Sequence, residues 1–190
     1  MTSNKNFYTV LITFHGAQNV PVADLGHLSC DPYIEATIVV PAYAQDSPSD
    51  PPLRWRTPTV HSSRDPTWDT HWAFSAVPQS GFILEMRLLD EDRKRDDRLG
   101  LAEVHFDGGM MHEGFVVENS AYKVQKRKGS IQPWAQTYAA ALFPGQKLRK
   151  HSRVTISARI LGKCPNTVGR KPYTIGPSAY SKSNPICFYG

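Results

Sequence analysis

Apolar and β-branched residues occur along this chain in short bursts divided by clusters of Gly, Pro, Asn, Asp and Ser. Phe7–His15 (FYTVLITFH) mixes β-branched and aromatic side chains as a buried strand does. After a loop rich in turn residues, Tyr33–Val40 repeats the pattern. Pro41–Pro52 (PAYAQDSPSDPP) holds too much Pro and Ser for regular structure and reads as a flexible excursion between strands. Arg54–His61 resumes a strand that Pro58 interrupts, which predicts an edge position or a bulge. Thr70–Val77 and Phe82–Leu89 follow, divided by the turn PQSG, and then Leu99–Phe106. Phe115–Val124 allows a further strand, and Ser152–Leu161 alternates and closes the series. Ile131–Leu142 (IQPWAQTYAAAL) is the one helical stretch, stopped by Pro144-Gly145. Short strands joined by turn-rich loops predict an all-β fold, an antiparallel eight-stranded β-sandwich with one short helix. The domain is expected over residues 5–162, with 163–190 an irregular tail or linker.

Polarity breaks the pattern most sharply between Phe82–Leu89 and Leu99–Phe106. Asp90, Glu91, Asp92, Asp96 and Asp97 put five carboxylates into eight residues. They lie within the screening length of about 8–10 Å, so they repel one another unless a cation sits among them. Arg93, Lys94 and Arg95 offer one source of positive charge, and an acidic turn on its own is a common solvated loop. A hard ion such as calcium is the other source, because the donors are all oxygen. An EF-hand fits poorly: counting from Asp90, the fifth and sixth positions are Lys94 and Arg95, and the twelfth is Leu101 instead of Glu.

Composition narrows the choice. A chain of 190 residues with 40% apolar content supports one domain around one core. No apolar run approaches the ~18 residues of a membrane span, and the first residues lack a signal-peptide pattern, so a soluble intracellular protein is expected. Cys30, Cys164 and Cys187 are odd in number and lack metal-type spacing, in keeping with a reducing compartment. His27 and Cys30 do not make a zinc site, and Cys30 is expected as an exposed thiol. A net charge of +5 favours anionic partners, nucleic acid or lipid headgroups, without choosing between them. Trp55, Trp68, Trp72 and Phe74 read as core and sandwich-end packing. The sequence holds no G-x-S-x-G, P-loop, H-E-x-x-H or G-x-G-x-x-G, which argues against an enzyme.

Three stretches then belong together. ADLGHLSCDPYIEATI (Ala23–Ile38) carries Asp-Pro-Tyr, RTPTVHSSRDPTWDTHWAF (Arg56–Phe74) carries a threonine, a turn and Asp-Pro-x-Trp, and LLDEDRKRDDRLGLAEV (Leu88–Val104) carries Asp-x-Asp, a later Asp and Leu-Gly. In this order and spacing they resemble the C2 domain family. The first strand runs straight into the Asp-Pro-Tyr loop, which favours the second, circularly permuted topology of that family. The resemblance implies calcium ligands at Asp24, Asp31, Asp90, Asp92 and Asp97, with Asp96 either a further ligand or a carboxylate behind them. Asp92 to Asp97 is one residue shorter than in many members, so Asp96 and Asp97 are exchangeable. Asp24 to Asp31 is one residue longer than is common.

The resemblance also implies a function: calcium-dependent, reversible docking of a cytoplasmic protein to anionic phospholipid membranes, with no nucleic acid as partner. Calcium among the acids would leave Arg93, Lys94, Arg95 and Arg98 facing the headgroups, each contributing about 1 kcal/mol. Leu25 and Leu28 are candidates for shallow insertion, or plugs for the sandwich end. The groups Lys123–Lys128, Lys147–Arg153 and Arg54, Arg56, Arg64 are solvated faces or, by resemblance, one of them is a phosphoinositide groove. Two alternatives stand beside this reading: the N-terminal targeting domain of a larger lipid-metabolising enzyme, and a calcium-independent protein-interaction scaffold.

Overall fold

The computed structural model describes residues 6–23, 29–41, 51–93, 95–125, 151–164 and 171–176. Among the described residues there are nine strands: β1 (Phe7–Gln18), β2 (Pro32–Val39), β3 (Leu53–Arg56), β4 (Thr67–Pro78), β5 (Gly81–Asp90), β6 (Asp97–Asp107), β7 (Val116–Lys123), β8 (Arg153–Lys163) and β9 (Tyr173–Gly176). A five-stranded sheet runs β7-β8-β1-β4-β9 and a four-stranded sheet runs β3-β2-β5-β6. All pairings are antiparallel, and the two inner faces form one core. This is the expected β-sandwich, with one strand more than the eight anticipated.

Alternation decides which face each strand buries. In β1, Val10, Ile12 and Phe14 are fully enclosed, while Leu11, Thr13 and His15 lie on the other side. β8 matches it with Val154, Ile156, Ala158 and Ile160 turned inward. A ladder of rings crosses the core: Phe14 stacks on Trp55 at 5.1 Å, and Trp72, Phe74, Phe82 and Phe106 continue it, the last pair 4.6 Å apart. Such contacts add about 0.5–1.5 kcal/mol each beyond burial. Trp68, Trp72 and Phe74 are buried, as expected of packing aromatics.

β8 lies between β7 and β1, with Tyr8 opposite Lys163, so the closing strand sits beside the first, as the permuted topology requires. β3 is an edge strand and ends at Arg56, before Pro58, whose ring nitrogen has no hydrogen to offer the ladder. The ninth strand comes from the stretch beyond Gly162 that was expected to be irregular. Tyr173 and Thr174 pair with Ser75 and Phe74 at the other edge, where Trp72 Nε1 donates to Thr174 Oγ1 at 3.1 Å. The expected helix at 131–142 and most of the excursion at 41–52 lie outside the described residues.

The loops β1–β2, β3–β4 and β5–β6 leave the sandwich at one end, where backbone hydrogen bonds tie them. Ala17 N–H donates to Pro66 O at 3.0 Å, Val20 N–H to Arg64 O at 2.9 Å and Ser63 N–H to Cys30 O at 2.9 Å. Gly16 permits the closest approach: a Cβ there would stand 2.3 Å from Pro66 O. The β5–β6 loop is joined by Glu91 N–H, which donates to Asp31 O at 3.0 Å.

Candidate functional site

Asp31 ends the first loop, and its rigid entry into β2 comes from Pro32, which faces Asp90 across the ladder. Asp31 N–H donates to Asp90 Oδ1 at 2.5 Å. The Asp31 carboxylate faces the β3–β4 loop, with Oδ1 accepting from Ser62 N–H at 2.8 Å and Oδ2 lying 3.0 Å from His61 Nδ1. That carboxylate pushes the exposed His61 imidazole above its ordinary pKa.

Asp90 is only 4% exposed. On the hairpin it stands directly opposite Asp97, a like-charge pair that a sheet disfavours. Burial raises its pKa to about 6; the Asp31 N–H works against that rise, while the charges of Asp92, Asp31 and Asp97 add to it. Four carboxylates therefore sense one another at this pole.

The tip of the β5–β6 loop is held by different contacts. Asp96 Oδ1 accepts from Asp92 N–H at 3.1 Å, and Oδ2 accepts from the Tyr33 hydroxyl at 2.5 Å. The Tyr33 bond pulls Asp96 below the usual carboxylate range, and burial with the same bond drives the phenol well upward. Arg56 stacks on the Tyr33 ring, its Cζ 3.6 Å from the centroid, and donates through Nη2 to Glu91 Oε1 at 2.5 Å and Thr59 Oγ1 at 3.0 Å. Side-chain hydrogen bonds from Thr59 and then from Arg56 hold Glu91 below its normal pKa.

The structure thus brings Asp31, Asp90, Asp92, Asp96 and Asp97 to one pole, and Arg93, Arg95 and Arg98 are exposed beside them. Asp24, Leu25, Leu28 and Lys94 lie outside the described residues. In donor chemistry the set suits a hard divalent cation. In arrangement it is not yet a cage: among the described residues no three His, Cys, Asp or Glu side chains stand close enough to hold a metal ion. Asp31 is turned to His61 and Ser62, and Asp96 to Tyr33.

Cys30 corrects an expectation. It is buried, and its thiol donates to Ser63 O at 3.1 Å, because the β3–β4 loop packs back on it through Ser63. Burial pushes its pKa far above the ordinary thiol value. Sequence reasoning also missed the partners His61, Ser62, Tyr33 and Arg56, which meet the acids only through the fold. Arg56 had been grouped with Arg54 and Arg64 as a basic face, whereas its guanidinium is committed to Glu91 and the Tyr33 ring.

Comparison with known proteins agrees with this fold. The chain is similar to a C2 domain protein from Ramazzottius varieornatus (TM-score 0.58, 14% identity, covering 88% of this chain and 95% of that one). It is similar to a C2 domain of plant extended synaptotagmin 1 (TM-score 0.52, 15% identity, 82% and 95% covered). Against human GIVD cytosolic phospholipase A2 the TM-score is 0.54 at 17% identity, with 85% of this chain covering 17% of the phospholipase's length. No curated protein sequence matches the chain. The model of the C2 domain family matches residues 8–122, more than half of the sequence, and the chain belongs to that family.

Proposed function

We propose that this domain is a membrane-targeting module that docks on anionic phospholipid in response to calcium, and that it works in the cytoplasm. The observation that carries this reading is Asp90, buried, opposite Asp97, and raised to about 6 partly by its acidic neighbours. A fold that keeps like charges together at a loop end loses stability by doing so, and cation binding is the function that recovers it. Asp24, Asp31, Asp90, Asp92 and Asp97 would hold the ion, with Asp96 behind them on Tyr33. Calcium supplies charge that offsets the acids and coordination positions open to lipid phosphate oxygens. Arg93, Lys94, Arg95 and Arg98 meet the headgroups, at about 1 kcal/mol each. Leu25 and Leu28 add shallow apolar contact. The module occupies residues 5–162, and 163–190 is its tail or linker, from which β9 pairs with the edge of the sandwich.

Sedimentation with phosphatidylserine vesicles tests this reading. The wild type is expected in the pellet with calcium and in the supernatant with chelator. The double variant Asp90→Asn, Asp92→Asn is expected in the supernatant under both conditions. Equal sedimentation of the double variant and the wild type in calcium defeats the reading.

Two further readings each have an observation behind them. The engaged carboxylates of Asp31 and Asp96 favour a calcium-independent protein-interaction scaffold, whose vesicle binding would ignore calcium throughout. The likeness to a short part of a phospholipase favours a targeting domain of a larger lipid-metabolising enzyme. The gene sequence downstream of Gly190 tests that reading.

A further inference from the structure

On the outer face of the five-stranded sheet, three adjacent strands align Ser157 of β8, His15 of β1 and Asp69 of β4. His15 Nε2 lies 2.8 Å from Ser157 Oγ, and its Nδ1 lies 3.4 Å from Asp69 Oδ1. A neutral imidazole with its proton on Nδ1 satisfies both contacts: Nδ1–H points to the carboxylate, and Nε2 accepts from the serine hydroxyl. Ser157 Oγ in turn accepts from Asn119 N–H at 3.0 Å. The residues are 54 and 142 positions apart in sequence, so no local motif announces them.

The backbone departs from regular pairing at each of these points. The β1 register shifts between Phe14 and Gly16 against both neighbours, leaving His15 in a bulge. Opposite it, Asp69 has φ 47°, and on β7 Asn119 has φ 46° where that strand shifts against β8. Bulges re-aim side chains and occur often beside active sites, and positive φ at residues other than Gly marks stored strain. Three converge here.

His15 and Ser157 open into a groove of about 390 Å³, within the range of small-ligand sites, with Asp69 behind the imidazole and outside the lining. Leu11, Val116 and Val117 give it an apolar side, and His71 and Arg159 also line it. The His71 Nδ1 is 2.9 Å from Thr13 Oγ1, so when that nitrogen accepts the threonine proton, Nε2–H is left as a donor.

We propose that this groove is a second, hydrolytic site, in which Ser157 is a nucleophile toward carboxylic esters with a small apolar acyl group. Ser157 Oγ adds to the ester carbonyl carbon as its proton passes to His15 Nε2. The carbon–oxygen bond to the alcohol breaks, and the alcohol leaves with that proton. Water then cleaves the acyl-serine by the same route, giving the carboxylic acid and restoring Ser157. Asp69 orients the imidazole, and the groove-lining donors available to the developing oxyanion are His71 and Arg159, the latter 3.9 Å from the Glu118 carboxylate that also lines the groove. The longer Asp69 contact is of the kind that tightens once substrate is bound.

The test uses the full chain in chelator without vesicles, so its outcome is separate from the calcium reading. The chain is treated with diisopropyl fluorophosphate and, in parallel, with p-nitrophenyl butyrate. One diisopropylphosphoryl group on Ser157, located by peptide mass spectrometry, and a p-nitrophenol burst near one equivalent are expected. His15→Gln should slow both by about 100-fold, and Ser157→Ala should abolish both. The wild-type labelling needs no variant to fold. An unmodified Ser157, or butyrate hydrolysis equal in wild type and Ser157→Ala, overturns the proposal.

Discussion

Two aspartate–histidine pairs show how one contact serves two ends. At the loop pole the carboxylate is the shielded partner, with Asp31 37% exposed against 71% for His61. On the sheet face the order reverses, with His15 at 31% and Asp69 at 66%. The pole is built around a carboxylate, which His61 and the Ser62 N–H cap from loop positions. The sheet is built around an imidazole, placed by a central strand between a carboxylate and a hydroxyl. The two pairs thus shield opposite partners, a carboxylate at the pole and an imidazole on the sheet.

The comparison breaks most readily at Asp31. Asp31→Ala removes the acceptor for Ser62 N–H and the partner of His61, with an expected loss of up to about 3 kcal/mol in urea unfolding. A cost no larger than that of Asp69→Ala would erase the distinction. Asp90→Asn sharpens it in the other direction. Because the folded pKa of Asp90 is raised from 3.8 to about 6, the folded state binds more protons than the unfolded state between those values. Its contribution to stability is therefore lost as pH rises through that window. Asp90→Asn is expected to stabilise the metal-free domain at pH 7 by on the order of 3 kcal/mol, at 1.36 kcal/mol per pKa unit. Melting curves from pH 4 to 7 should be flatter for the variant than for the wild type. Tyr33→Phe, which takes one hydrogen bond from Asp96, is expected to cost about 1 kcal/mol and to raise the Asp96 pKa, visible by carboxyl NMR titration. Asp69→Ala comes last, below about 1 kcal/mol in unfolding, since its carboxylate is largely solvated.

Much of the fold was legible because burial writes itself into alternation. The period-two pattern of Phe7–His15 and Ser152–Leu161 places β1 and β8, and Pro58 marks where β3 must stop. β9 was not legible, since four residues in a stretch rich in Pro, Gly and Ser carry no period, and their strand conformation comes from pairing with β4. At the pole the acids could be read, because Asp-Pro-Tyr and the Asp-rich hairpin are local signals. Their partners could not: Arg56 meets Glu91 across 35 positions and Tyr33 meets Asp96 across 63. The Ser157–His15 contact is further still from any local signal.

The adjacency of β1 and β8 has a consequence for where a fusion partner can be placed. Phe7 and Cys164 meet through a 2.9 Å hydrogen bond from Cys164 N–H to Phe7 O, at the end of the sandwich opposite the acidic loops. Strand β1 of 12 residues separates the two ends, roughly 35 Å at the usual rise per residue. A partner fused near either residue stands at the far end from the loops, and both points of fusion share one side of the body. A fusion partner placed before Phe7 should therefore leave the loops as accessible as one placed after Cys164.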